Sequence, residues 1–279
     1  MLRKLLKYDF GAVIKLWCIG ALAVLVLALG GGVCIRVLES DRSFHGIITL
    51  AAGMGIFLAY LGICAFSVLS LILMLMRFYK NFFTDEGYLT FTLPVKLHTV
   101  LNSKLILIFT MMALTGLWIG MSVFIALAVG VESLPEIMEN IGLALKELRL
   151  IIEEGQCQGW VALYIVEAIL ISVLSSLTSH LFIFCCITFG SIVAKKAKVA
   201  AAIGIYFGAN FVFSIVLSIF MSFGMSAFVV WISTAEGAVF YAFEIVALAM
   251  FGIIALEAML CSMLYTLEYR LLYRKLNLP

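Results

Sequence analysis

The chain has 279 residues, of which 65% are hydrophobic and 12% charged, with a formal net charge of +2 and a mean hydropathy of +1.20. Soluble domains are about 45–50% apolar and about 25% charged, so this composition excludes a water-facing globule and predicts an all-α integral membrane protein. The whole chain, 1–279, reads as one transmembrane domain with no soluble appendage.

The first residues set Leu2, Leu5, Leu6 and Phe10 against Arg3, Lys4 and Lys7. They form either a basic amphipathic helix on the membrane surface or the positive flank of the first span. The apolar run at 11–35 is longer than a signal-peptide core, and Asp9 and Lys15 interrupt its start, so it reads as an uncleaved span. A short polar loop with Arg36, Glu39, Asp41, Arg42 and His45 leads to the second span, 46–76. At 1.5 Å per residue that span exceeds a hydrocarbon core of about 30 Å, so it must tilt or project.

The stretch 77–104, RFYKNFFTDEGYLTFTLPVKLHTVLNSK, separates spans two and three. Thr84 or Asp85 can cap a short helix with Glu86 in its first turn. Tyr88, Leu89, Phe91 and Leu93 then offer aromatic and apolar surface, Pro94 stops the helix, and Lys96 begins a basic approach to the third span, 105–131. Aromatic and apolar surface between charged flanks is the composition of a docking element or of an interfacial helix lying on lipid.

Residues 132–158 carry Glu132, Glu136, Glu139, Glu147, Glu153 and Glu154 against Lys146 and Arg149, with Leu134, Ile137, Ile141, Leu145, Leu148 and Ile152 at helical spacing. This predicts an amphipathic helix on the outer surface. Spans four to six fall at 159–194, 199–222 and 241–266. Between the last two, 224–240 is apolar but broken by Gly224, Ser226, Ser233, Thr234, Glu236 and Gly237, which predicts a re-entrant segment.

Six spans put both termini on one side. All Lys and Arg residues except Arg36, Arg42, Lys146 and Arg149 then share that side, which the positive-inside rule assigns to the cytoplasm.

No phosphate-binding loop, metalloprotease helix or nucleophile elbow occurs, and the seven cysteines show no metal spacing. The chain is therefore expected to be no enzyme by itself, to bind no metal or cofactor directly, and to have no nucleic-acid partner. The candidate intramembrane polar residues are Glu167, His180, Glu244 and Glu257. Buried carboxylates are costly in hydrocarbon and mark functional sites or hydrogen-bonded structural ones. Glu244 and Glu257 stand about 220° apart around a helix and so cannot make one site. Ser176 lies one turn before His180, a spacing that suits either a hydrolytic pair or ordinary helix packing.

The segment Glu86–Lys104, EGYLTFTLPVKLHTVLNSK, resembles the loop between spans two and three of type-2 ATP-binding-cassette (ABC) exporter permeases. The wider run MRFYKNFFTDEGYLTFTLPV resembles uncharacterised permeases of this kind from Gram-positive bacteria. The resemblance implies a coupling helix at Asp85, Glu86, Gly87, Tyr88, Leu89, Phe91, Leu93, Pro94 and Lys96 that sits in a groove of a cytoplasmic ATPase subunit. It further implies ATP and Mg²⁺ held by that partner, a second permease copy or paralogue, and a place in the bacterial plasma membrane. An amphipathic peptide, lipid or drug is the expected cargo. The acidic loop 132–158 departs from the family plan. The alternatives are a proton-coupled secondary transporter using the buried glutamates, an intramembrane hydrolase using Ser176 and His180, and an immunity or sensor protein that binds a toxic peptide through the outer loop.

Overall fold

The computed structural model describes residues 2–40, 46–84, 87, 96–154, 158–194, 197–234 and 238–275. Among the described residues seven long helices follow one another: α1 (Leu2–Glu39), α2 (Gly46–Phe83), α3 (Leu97–Gly130), α4 (Leu134–Glu154), α5 (Gln158–Val193), α6 (Lys198–Thr234) and α7 (Ala238–Lys275). Among the described residues, six helices are long and apolar enough to cross a membrane, all but α4. The chain is thus a multi-pass membrane protein. Its helices are longer than a bilayer requires: 38 residues in α1 correspond to about 57 Å, nearly twice the hydrocarbon thickness.

Three boundaries differ from the sequence reading. The basic start is the first turns of α1 itself, which runs from Leu2 without a break. The second and third spans extend toward each other, to Phe83 and from Leu97, which shortens the stretch between them. The segment beginning at Gly224 is not a break: α6 continues to Thr234, and α7 starts at Ala238. A single glycine costs a helix only about 1 kcal/mol. Ser226 spends its hydroxyl on the Phe223 carbonyl of the preceding turn (2.9 Å) and does not compete with the helix. The amphipathic helix expected after the third span is α4, and its apolar residues Ile137, Ile141 and Leu145 are exposed.

Helix packing divides the chain into two compact units, Met1–Ile151 and Ile152–Pro279. In the first, α1 lies against both α2 and α3. Asp9, Val13, Trp17, Ala21, Val24 and Ala28 are buried along it, and Gly31 and Gly32 continue the line, a run of three- and four-residue steps as far as Gly31 that makes one seam. Lipid tails are as apolar as leucine, so close contact and hydrogen bonds hold such a seam. Trp17 Nε1 donates to Thr115 Oγ1 on α3 (2.9 Å), and Trp118 Nε1 of α3 donates to the Ala21 carbonyl (2.9 Å). The two indoles meet edge to face at 6.1 Å, with Phe66 of α2 at 5.8 Å from Trp17. Farther along, glycines let the backbones touch: a Cβ on Gly32 would lie 2.6 Å from the Ala126 carbonyl oxygen.

In the second unit α5 packs on α7 and α6. A Cβ on Gly190 would come within 2.5 Å of the Ala202 backbone nitrogen, so α5 and α6 meet there backbone to backbone.

The glycine contacts give a paired test in one helix. Gly30→Ala meets open space and should leave stability unchanged or slightly raised, because alanine favours helix. Gly32→Ala meets a fixed carbonyl and should destabilise by about 1–3 kcal/mol. Thermal unfolding of the two variants in detergent measures the contrast.

Candidate functional site

The stretch that the sequence marks as a docking element hangs from the ends of α2 and α3. Asp85, Glu86, Tyr88, Leu89, Phe91, Leu93 and Pro94 lie outside the described residues. Gly87 and Lys96 are described. The Gly87 N–H donates to the Thr84 carbonyl (2.8 Å). A Cβ at Gly87 would stand 3.0 Å from the Phe82 carbonyl oxygen, so the backbone turns back tightly onto the end of α2. Lys96 is the extended residue before α3 (φ −64°, ψ 139°), with its carbonyl accepting the Thr99 N–H (2.9 Å) and its side chain exposed.

Both roots of this stretch are fastened to one carboxylate. Asp9 of α1 is 3% exposed. Its Oδ1 accepts from Arg77 Nε (2.9 Å) and Asn81 Nδ2 (3.2 Å) on α2, and its Oδ2 accepts from Lys104 Nζ on α3. Lys104 is as buried as Asp9, and Arg77 keeps about a quarter of its side chain exposed. A lone carboxylate or ammonium in this position would be strongly disfavoured; paired and hydrogen-bonded, each satisfies the other. Around the α2 root lies an aromatic collar. Phe78 is 1% exposed and packs on Phe82 (4.9 Å) and Phe83 (6.1 Å), with Tyr79 on Phe83 (5.7 Å).

Asp9 was overlooked as a site because it reads as a flaw at the start of a span. The signal was nevertheless present. Asp9 is in step with Val13, Trp17 and Ala21, and Lys104 is in step with Val100, Leu107, Ile108 and Met111. Opposite charges on two buried faces predict a pair.

The second unit holds the intramembrane candidates. Glu167 is buried and Glu257 half-buried, each with an Oε2 that meets no hydrogen-bond partner among the described residues; Glu244 is exposed. His180 is buried, and its Nδ1–H donates to the Ser176 carbonyl. The Ser176 hydroxyl is 3.5 Å from that same nitrogen, whose proton is already committed to the carbonyl. In this arrangement the histidine caps the backbone, and that nitrogen is engaged by the carbonyl and not by the Ser176 hydroxyl. Among the described residues no group of His, Cys, Asp and Glu is arranged to hold a metal ion.

A fourth acid joins them. Glu268 of α7 is 0% exposed. Its Oε1 accepts from Thr188 Oγ1 on α5 (2.6 Å), while its Oε2 has no hydrogen-bond partner among the described residues. The Cys185 thiol, which donates to the Leu264 carbonyl (3.6 Å), lies beside the same carboxylate. In the sequence Glu268 belongs to a polar tail. Only its three-turn spacing from Glu257 places it on the packed face.

Comparisons of the sequence and the fold with known proteins found no matching family model, no similar curated protein and no similar solved structure.

The Asp9 cluster sets up a direct comparison with an exposed pair. Asp9→Ala leaves two cations facing a vacated site and should cost about 3–5 kcal/mol. Arg36→Ala breaks the exposed pair with Glu132 and should cost less than about 1 kcal/mol. Unfolding in lipid nanodiscs distinguishes the two.

Proposed function

We propose that this chain is the membrane-spanning subunit of an ATP-driven exporter of the type-2 ABC kind. Its 84–96 stretch docks a cytoplasmic ATPase subunit. One observation carries the reading: both roots of that stretch are hydrogen-bonded to the same buried carboxylate. A docking loop transmits movement only if its base is stiff. Here Arg77, Asn81 and Lys104 tie the ends of α2 and α3 to α1, so a push on the loop displaces three spans together and not a flexible tether.

The resemblance of Glu86–Lys104 to a coupling helix supports the same role, as does the charge asymmetry that puts this loop and both termini in the cytoplasm. Gly87 fits the tight return onto α2, and Tyr88, Leu89, Phe91 and Leu93 supply the apolar surface for the ATPase groove. ATP and Mg²⁺ bind the partner and not this chain. Closure of two ATPases pulls the loop. A second permease copy or a paralogue completes the translocation path in the bacterial plasma membrane, and an amphipathic molecule is moved along apolar walls. Coupling of this type is carried by packed helices that move as a body, and the three-helix packing of the first unit offers such a lever.

Copurification tests the reading. A soluble ATPase should accompany the wild-type chain from detergent-solubilised membranes and be lost with the double variant Tyr88→Ala, Phe91→Ala. If no ATPase accompanies the wild type, the docking role is wrong.

A further inference from the structure

Three carboxylates lie along one helix–helix seam of the second unit. On α5, Glu167 is three turns from Thr178 and five turns from Cys185, so all three share a face. On α7, Glu257, Cys261, Leu264 and Glu268 fall within about 60° of one another. These two faces meet: the Cys185 thiol donates to the Leu264 carbonyl, and Thr188 donates to Glu268. The contacts fix a parallel register. In that register Glu167, Glu257 and Glu268 follow one another at roughly 14 and 16 Å along the axis. Together they span roughly the thickness of the hydrocarbon core. Glu244 falls off this line.

Each of the three has a buried Oε2 with no hydrogen-bond partner among the described residues. Glu167 is 8% exposed and Glu268 0%. No ion pair joins any of them to a base among the described residues. Around them α5 contributes the basic group His180, already bonded to Ser176; α6 contributes Lys198 in its first turn; and α7 contributes the exposed Arg270. The rest of the seam is apolar or carries a hydroxyl or thiol. A buried carboxylate with an open oxygen is an incomplete interaction, and it lacks a donor that also brings positive charge.

We propose that the α5–α7 seam is a cation-recognition track whose ligand is an amphipathic molecule bearing primary ammonium or guanidinium groups. The chemistry selects this class. A Ca²⁺ ion wants six to eight oxygens and Mg²⁺ an octahedron, whereas each station offers one carboxylate and at most a hydroxyl or thiol. The stations are too far apart to share one ion. One carboxylate in an apolar wall matches one N–H-bearing cation on an alkyl or aromatic body. The oxygens are sealed by helix contact in this structure, so the ligand enters as α5 and α7 part, and its charge replaces the packing that is lost. Independently, the acidic helix α4 and its flanks, Glu132 to Glu154, carry six glutamates against Lys146 and Arg149, a surface that also attracts cations. The inference rests on the exporter reading only in treating the ligand as cargo.

The test needs no ATPase. Saturable binding of dodecylamine, a cation at neutral pH, is measured on the full chain in phosphatidylcholine nanodiscs, with empty nanodiscs subtracted and dodecanol as the neutral counterpart. The wild type should bind dodecylamine saturably and dodecanol not. The triple variant E167Q/E257Q/E268Q should bind dodecylamine at least about tenfold more weakly, and E244Q should bind as the wild type does. In the wild type alone, dodecylamine and not dodecanol should raise the unfolding temperature, which keeps the test decisive if the triple variant fails to fold. Equal binding of amine and alcohol, or undiminished binding in a folded triple variant, overturns the proposal. Such a result with ATPase copurification intact removes the cationic cargo and leaves the exporter reading standing. Binding as expected without a copurifying ATPase does the reverse.

Discussion

A single carboxylate buried where three helices meet governs the first unit. Asp9 is the acceptor for Arg77, Asn81 and Lys104, and each donor stands near one end of the stretch between α2 and α3. Burying these charges is expensive and becomes tolerable only when geometry satisfies them. The arrangement therefore specifies more than it stabilises: it fixes which turn of α1 faces which turns of α2 and α3. The same α1 seam continues through Trp17 and Ala21 to Gly32, where indole hydrogen bonds and backbone contact take over. Register set at one end is carried along the helix.

The second unit is built on a different principle. Its α5–α7 seam is held by hydroxyl and thiol bonds and carries acids whose open oxygens meet no hydrogen-bond partner among the described residues. A seam of this kind is easier to part than one locked by charge-assisted bonds and interlocked indoles. The first unit, locked at Asp9, and the second, with its unfilled polar stations, fit the proposed separation between docking an ATPase and handling a ligand.

Much of this was legible in the sequence, and the misses have physical causes. Six apolar runs are a direct consequence of bilayer thickness, and the spacing of Ile137, Ile141 and Leu145 gave α4 before any coordinates. The re-entrant segment failed because Gly224 and nearby serines were weighed as breakers. In a long apolar helix one glycine is tolerated and a serine satisfies itself on the previous turn. Asp9 and Glu268 were passed over for the same reason: each sits at a span's end, where charge is ordinary. Their place on a buried face follows from helical phase, which needs the neighbouring seam to be known. Glu167 and Glu257 were singled out as costly, but a shared seam depends on the parallel register of α5 and α7, which no single helix contains. The docking residues Tyr88, Leu89, Phe91 and Leu93 rest on the sequence alone.

Hydrogen–deuterium exchange on the full chain in nanodiscs, wild type against Asp9→Asn, tests most directly whether Asp9 holds the loop. Asparagine keeps the shape and removes the charge that gathers Arg77 and Lys104. Amides at 77–84 and 96–104 should exchange faster in the variant, with those of α5 and α7 unchanged. Unaltered exchange at both roots would mean that the loop is held by something other than Asp9, and the stiff base on which the docking role depends would be gone.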